Sequence, residues 1–198
     1  MSSVSAIGPR RTAQRVSGMA DADLVAQARE GAGWAHEALY RRHASLVFGL
    51  AHRLLGGREH EVDDVAQEAF LQAFEKLDKL RDAQSFAKWV GSIAVRCAQR
   101  RLRRERLRRR LGLGPAESID TERLIAPTTP PDVAAELRRL YAAVGAMPVQ
   151  VRTALILRRV EGMSVDEIAE HMSLSRSTVK RRVARGEAQL AKLIGGAP

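Results

Sequence analysis

Cysteine is almost missing from this chain: Cys97 is the only one in 198 residues. A single thiol excludes an internal disulfide and any cysteine-built zinc cluster. Aromatic residues are scarce, at 4%. No apolar run reaches the ~18 residues of a membrane-crossing helix, so no membrane insertion is expected. The opening stretch MSSVSAIGPRRTAQRVSGMA carries arginines but lacks the apolar core of a secretion signal. It reads as the flexible tail, residues 1–20, of a cytoplasmic protein. The five histidines are scattered, and the acids have no His or Cys beside them at ligand spacing. No catalytic residue, metal or cofactor is expected.

What is abundant is positive charge. Lys and Arg number 33 against 23 Asp and Glu, a net charge of +10. Such a balance points to a polyanionic partner, usually nucleic acid. Its distribution says more. Nine arginines and one acid, Glu105, lie between Arg96 and Arg110. Six acids (Glu59, Glu61, Asp63, Asp64, Glu68, Glu75) crowd the segment before it, with only Arg58 beside them. A protein that merely coats DNA has little use for that acidic block.

The patterned segments all have helical period, so the expected fold class is all-α, two small helical domains joined by a flexible linker. Asp21 is placed to cap a short helix carrying Leu24, Val25 and Ala28. A helix over Trp34–Leu55 puts Leu39, His43, Leu46, Val47, Leu50 and Leu54 on one stripe. Glu61–Leu80 has an apolar face running from Val62 to Leu80. After the loop Arg81–Ser85, Ser85 is placed to cap a helix with Phe86, Trp89, Val90, Ile93, Ala94 and Cys97 inward, running into the arginines. Residues 108–131 have glycines, prolines and threonines without period and read as the linker. Domain boundaries follow at 21–107 and 132–194. In the second domain, Asp132 is placed to cap a helix with Val133, Leu137, Leu140, Tyr141 and Val144 inward. Pro148 suits the first turn of the next.

Ser164 and Glu167 match a capping box. With the short helix Val165–Met172, the turn SLS and a second helix, they predict a helix-turn-helix over 164–183. Ile168, Ala169, Leu174, Val179 and Val183 have the spacing that packs its two helices. Ser175, Ser177 and Thr178 offer hydroxyl and backbone N–H groups to a phosphate. Lys180, Arg181, Arg182 and Arg185 follow, and Arg is the commonest reader of guanine. Opposite the core stripe of Glu61–Leu80 stand Asp64, Gln67, Glu68, Leu71 and Glu75. That face fits plain solvation as well as docking of a basic partner helix. The residues alone therefore leave open a stand-alone helix-turn-helix regulator.

Two long stretches carry a resemblance. EALYRRHASLVFGLAHRLLGGREHEVDDVAQEAFLQAFEKLDKLRDAQSFAKWVGSIAVRCAQRRLRR resembles region two of the sigma-70 family in its short extracytoplasmic-function branch. MPVQVRTALILRRVEGMSVDEIAEHMSLSRSTVKRRVARGEAQLAKL resembles region four. The resemblance implies a non-catalytic promoter-specificity subunit. Asp64, Gln67, Glu68, Leu71 and Glu75 would meet the β′ clamp helices of core polymerase. Arg81, Asp82, Ala83, Gln84, Ser85 and Phe86 would capture a flipped base of the −10 element, with Arg96, Gln99 and Arg100 facing that strand. Ser175, Ser177, Thr178, Lys180, Arg181, Arg182, Ala184 and Arg185 would read the −35 element. The implied partners are core polymerase (β′ clamp helices and β flap), promoter DNA and, as this branch leads one to expect, an anti-sigma factor. The linker would thread toward the active-site and RNA-exit channels. Three positions depart from the branch: Arg96 where Asn is common, Ser177 where Gly is common, and the small Ala184.

Overall fold

A computed structural model describes residues 18–56, 58–113 and 125–194, and among them there is no strand. The N-terminal module contains α1 (Asp21–Arg29), α2 (Gly33–Leu55), α3 (Glu59–Glu75) and α4 (Phe86–Arg110). Single 3-10 turns at Leu77–Lys79 and Ala83–Ser85 join α3 to α4. The C-terminal module contains α5 (Pro131–Ala146), α6 (Val149–Arg159), α7 (Val165–Met172) and α8 (Arg176–Ile194). The tail to residue 17 and linker residues 114–124 lie outside the described residues.

Apolar periodicity explains the first module. Leu39, Val47, Leu50 and Leu54 of α2 meet Val62, Val65, Ala66, Ala69 and Phe70 of α3, and all are buried. Phe86, Val90, Ile93, Ala94 and Cys97 of α4 close the core as their spacing predicts. A row of rings crosses it, from Tyr40–Phe70 at 4.7 Å between centroids through Phe74–Phe86 at 6.5 Å to Phe86–Trp89 at 6.1 Å. Burial raises the Cys97 thiol to about 11, so it stays protonated and behaves as a small apolar side chain. Gly56 ends α2 with φ of 71°, a left-handed cap that costs a glycine nothing.

Several local expectations change. Asp21 sits inside α1, whose N-cap is Ala20, and its carboxylate instead holds Arg42 at 2.8 Å and His43 at 2.9 Å. Leu46 lies on the exposed side of α2. Helix α3 stops at Glu75 rather than Leu80, because the chain tightens into the 3-10 turn at Leu77. Arg29 fastens that turn by donating to the Leu77 carbonyl at 3.0 Å. Ser85 makes no side-chain cap to α4; its hydroxyl donates to Asp82 at 2.5 Å, and Asp82 accepts from the Gln84 amide at 3.0 Å. In the second module α5 begins at Pro131, with Asp132 in its first turn rather than at the cap, and Pro148 caps α6 rather than opening it.

The larger finding is that the two modules share one core. Helix α4 is buried on two sides. Its predicted stripe faces α2 and α3, while Gly91, Ser92, Val95, Gln99 and Leu102 are also buried, on the side where α6 and α7 pack. Leu157 of α6 and Ile168, Ala169 and Met172 of α7 join the same apolar cluster. The second module's own cluster is small: Met147, Val151 and Leu155. Of the five residues expected to face inward on α5, Val133 is exposed and Leu137, Leu140, Tyr141 and Val144 are only half-buried.

Candidate functional site

The outward face of α3 stands as its spacing predicts. Asp64, Gln67, Leu71 and Glu75 are exposed and Glu68 is half-buried, one stripe along three turns. Leu71 is 64% exposed with polar groups around it. An isolated exposed leucine is ordinary, but one framed by carboxylates suits a basic helix with an apolar contact of its own. The acidic block has a second use that the linear sequence hides. Glu68 binds Arg100 at 2.9 Å, Glu61 binds Arg101 at 3.3 Å, and Arg58 binds Glu105 at 2.7 Å. Part of the arginine run is thus neutralised within the module, and α3 is laced to the distal half of α4.

The residues expected to meet a melted strand separate into three groups. Arg81, Asp82 and Gln84 are exposed, and Ala83 and Ser85 are half-buried, on the short turn that Asp82 organises. Arg96 and Arg100 are exposed on α4, although Arg100 is engaged by Glu68. Phe86 and Gln99 are elsewhere. Phe86 is fully buried at the centre of the ring row, packed against His43 and Phe74 beneath the turn. Gln99 is 6% exposed; its Oε1 accepts from Arg103 at 3.2 Å, and its Nε2 is buried without a partner. It was expected outward because only the first buried side of α4 shows as a clear period.

Beside the turn lies an open cavity of about 520 Å³, lined by Arg81, Asp82, Ser85, Lys88, Trp89 and Glu170 among others. Trp89 combines core packing with cavity lining: it is half-buried against Phe86 and presents a face to the opening. The spacing of α4 puts Trp89 inward and Lys88 outward, and marks neither these two nor Glu170 as walls of one cavity. An aromatic next to a cation near a loop start was the available signal for the first two. Glu170 comes from the other module, and nothing in local sequence indicates it.

The helix-turn-helix forms at the predicted place. The Ser164 hydroxyl accepts from the Glu167 amide at 3.2 Å, and the Glu167 carboxylate accepts from the Ser164 amide at 2.8 Å. That hydrogen bonding holds the Glu167 carboxyl below its ordinary range. Ser173 closes α7 with φ of 53°, a left-handed turn, and the Leu174 amide returns to the Ala169 carbonyl at 2.8 Å. Ser175 caps α8, accepting from the Thr178 amide at 3.3 Å. Val179 is buried and Val183 half-buried against the core. Ser175, Ser177, Lys180, Arg181, Ala184 and Arg185 are exposed on one side of α8; Thr178 is half-buried. Arg182 is half-buried, and burial with Arg181 and Arg103 nearby lowers its pKa. Arg103 of α4 lies near it, across the seam between the modules.

A second cavity, about 400 Å³ and almost wholly apolar, opens in the C-terminal module between Leu140, Tyr141 and Val144 of α5, Leu155 and Ile156 of α6 and Leu190 of α8. His52, Arg53 and Gly56 at the end of α2, with Arg152, Arg159 and Val160 in and just after α6, complete its wall. This is where the apolar stripe of α5 goes: it lines a groove instead of a filled core. No group of three or more His, Cys, Asp or Glu suited to a metal occurs among the described residues. No described helix is long and apolar enough to cross a membrane.

Comparison with known proteins agrees with this geometry. Residues 39–108 match the family model for Sigma-70 region 2, and residues 137–190 match that for Sigma-70, region 4. The RNA polymerase sigma factor CnrH of Cupriavidus metallidurans is 32% identical over 181 residues, covering 88% of this chain and 94% of that one. The ECF RNA polymerase sigma factor SigM of Mycobacterium tuberculosis is 30% identical over 176 residues, 88% of this chain and 85% of the relative. A structure of CnrH in complex with the cytosolic domain of CnrY superposes with a TM-score of 0.62 at 29% identity, covering 91% of this chain and all of that one. With both family models matched in order and relatives of 30% identity or more covered over most of their length, the chain belongs to the sigma-70 family of RNA polymerase sigma factors, in its extracytoplasmic-function branch.

Proposed function

We propose that this sigma factor works as a two-point grip whose anchor is the outward stripe of α3. The observation that carries the reading is Leu71, 64% exposed between carboxylates on an otherwise well-packed helix. Asp64, Gln67, Glu68, Leu71 and Glu75 dock on the β′ clamp helices. The apolar groove of α5, α6 and α8 takes an apolar segment of the β flap, for which its lining is suited. Held this way, the turn Arg81–Ser85 and Trp89 receive an unstacked base of the −10 strand, with Arg96 and Arg100 on its phosphates. Lys180, Arg181 and Arg185 read the −35 duplex, while Ser175, Ser177 and Thr178 hold phosphate at the start of α8. Two weak sites joined on one scaffold gain effective concentration, and capture of a flipped base offsets part of the melting cost, a few kcal/mol. Residues 21–107 and 132–194 act as the two functional domains, with residues 108–131 between them running toward the polymerase channels. The polymerase supplies the catalysis, so this chain needs no catalytic residue, metal or cofactor, and its place of work is the cytoplasm. CnrH has a structure in complex with the cytosolic domain of CnrY. A comparable anti-sigma protein is the expected silencing partner here.

Glu68→Lys combined with Leu71→Ala tests the anchor. Leu71 is exposed, and Glu68→Lys gives up only a part-exposed ion pair with Arg100, so thermal stability should fall by no more than about 1 kcal/mol. Pull-down on core polymerase should fall tenfold or more, and run-off transcription with it. Undiminished core binding would remove the α3 face from the mechanism.

A further inference from the structure

A third cavity lies where the distal half of α4 meets the turn between α5 and α6. Its volume is about 100 Å³, and its walls include Arg106 and Arg109 of α4, Met147 in the turn, and Val149 and Arg152 of α6. A water takes ~30 Å³ in the liquid, so the space suits one tetrahedral oxyanion and is too small for a nucleotide. We propose that this cavity binds one oxyanion of phosphate chemistry, held by Arg106, Arg109 and Arg152 at the start of α6. The site is separate from the DNA- and polymerase-facing surfaces described above.

Unused donors carry the argument first. Arg152 is 3% exposed, and its Nε is buried without a hydrogen-bond partner. The Nε of Arg109 and one terminal nitrogen of the neighbouring Arg58 are in the same state. A buried N–H left unbonded is costly and rare, and these lie together around one small space. Arg106 donates to the Met147 carbonyl at 3.4 Å. A guanidinium has further N–H groups, so that contact fixes Arg106 at the rim and leaves donors for a ligand. Charge points the same way. Among the described residues, the carboxylates ion-paired with this group are Glu61, 3.3 Å from Arg58, and Glu105, 2.7 Å from Arg58 and 3.8 Å from Arg109. Glu61 is shared with Arg101. Arg58, Arg106, Arg109 and Arg152 set against two carboxylates leave two positive charges over, which a dianion cancels. Burial and then Arg58 lower the Arg152 pKa, and Arg109 adds to the shift, as crowding of like charges requires. The backbone contributes as well. Helix α6 opens at Val149 behind Pro148, with no side-chain cap. Its first N–H groups have no partner within the helix, and that end of a helix favours an anion. Guanidinium forks match the oxygens of phosphate two at a time.

The test is equilibrium dialysis of the full chain against radiolabelled inorganic phosphate, with sodium chloride holding the ionic strength constant. The wild type should bind one phosphate per chain, saturably. Arg106→Gln and Arg152→Met should each weaken binding by about tenfold or more, the loss of one charge-assisted hydrogen bond. Circular dichroism checks that both variants are folded, and Arg106→Gln, at the half-exposed rim, stands as the test should Arg152→Met unfold. Arg41→Gln removes the same charge from an exposed pair with Glu37 on α2 and should leave the affinity unchanged. Unlabelled adenosine 5′-monophosphate identifies the source of the oxyanion. Displacement at lower concentration than unlabelled phosphate makes it the head of a phosphomonoester whose remainder stays outside; displacement at equal or higher concentration makes it free phosphate, and both results support the site. Absence of saturable binding overturns the proposal. Equal weakening by Arg41→Gln does so too, because it reduces the effect to net charge. So does an affinity that a folded Arg106→Gln or Arg152→Met leaves unchanged.

Discussion

Arg152 provides a demanding test of what holds the modules together. It is 3% exposed, and its guanidinium sits in the seam near Arg58, Glu105 and Arg109 with no carboxylate of its own. Burial first, then the neighbouring Arg58, lowers its pKa to about 10. Each pH unit of such a lowering is about 1.4 kcal/mol, so keeping this charge buried costs about 3 kcal/mol. Against that stands one charge-assisted hydrogen bond to the Leu54 carbonyl at 2.7 Å, worth about 1.5–3 kcal/mol. The two nearly cancel, and the methylene stem supplies packing. Arg152→Met keeps the stem and removes the charge. Its stability should equal wild type or exceed it by up to about 1.5 kcal/mol, as found when buried ions give way to apolar residues of similar size. Arg152→Ala removes the stem as well and should lose about 2 kcal/mol or more. Thermal unfolding by circular dichroism reads both, at roughly 2–4 °C per kcal/mol for a chain of this size. If Met proves as damaging as Ala, the guanidinium–carbonyl bond outweighs the burial cost and the reasoning is wrong.

Three further outcomes are expected. Phe86→Ala should cost about 3–5 kcal/mol, because a fully buried ring is removed from the core; Phe86→Leu should lower the melting temperature while leaving −10 sequence preference in run-off transcription unchanged, and a changed preference would put Phe86 back against DNA. Arg185→Ala should weaken −35 recognition by about 1–3 kcal/mol per guanine contact, whereas Arg182→Ala should weaken it less because that side chain is half-buried toward the seam; equal losses in a binding assay on duplex DNA would contradict the placement. Burial lowers the His171 pKa, the Glu167 carbonyl opposes that shift, and Lys88 adds to it while the Glu167 and Glu170 carboxylates oppose it. A depressed folded pKa means that the unfolded chain takes up its proton first, so stability falls as pH drops below the unfolded value, about 6.5. His171→Gln should flatten that part of a melting-temperature profile, and an unchanged slope would assign the acid sensitivity to other groups.

The arithmetic of particular residues shows how far a linear reading reaches. Val165–Met172 is predicted to its end residues because a capping box marks it locally, whereas the helix that begins at Phe86 runs to Arg110, three residues into the stretch 108–131 that reads as linker. The outward stripe from Asp64 to Glu75 was legible for the same reason: spacing on one helix fixes which side chains share a face. Gln99 and Phe86 failed differently. Gln99 is polar and falls off the first apolar stripe of α4, yet a second buried side covers it. Phe86 begins a helix next to a loop with expected DNA contacts, yet packing with His43, Phe74 and Trp89 turns it inward. The inward stripe assigned to α5 had the right period but no partner to bury it, so it lines a groove.

Taken alone, the sequence determined what is local or compositional: helical class, the two segments of sigma type, the helix-turn-helix with its caps, and the charged faces. Those properties depend on spacing within one element and survive whatever that element packs against. The tertiary structure decided which of those faces remain open. Glu170 against Lys88, His171 over Gly91 and Arg152 on the Leu54 carbonyl join residues about 80 to 100 positions apart. Such contacts arise from the summed burial of apolar surface on α4, α6 and α7, a global quantity that no short window of sequence contains.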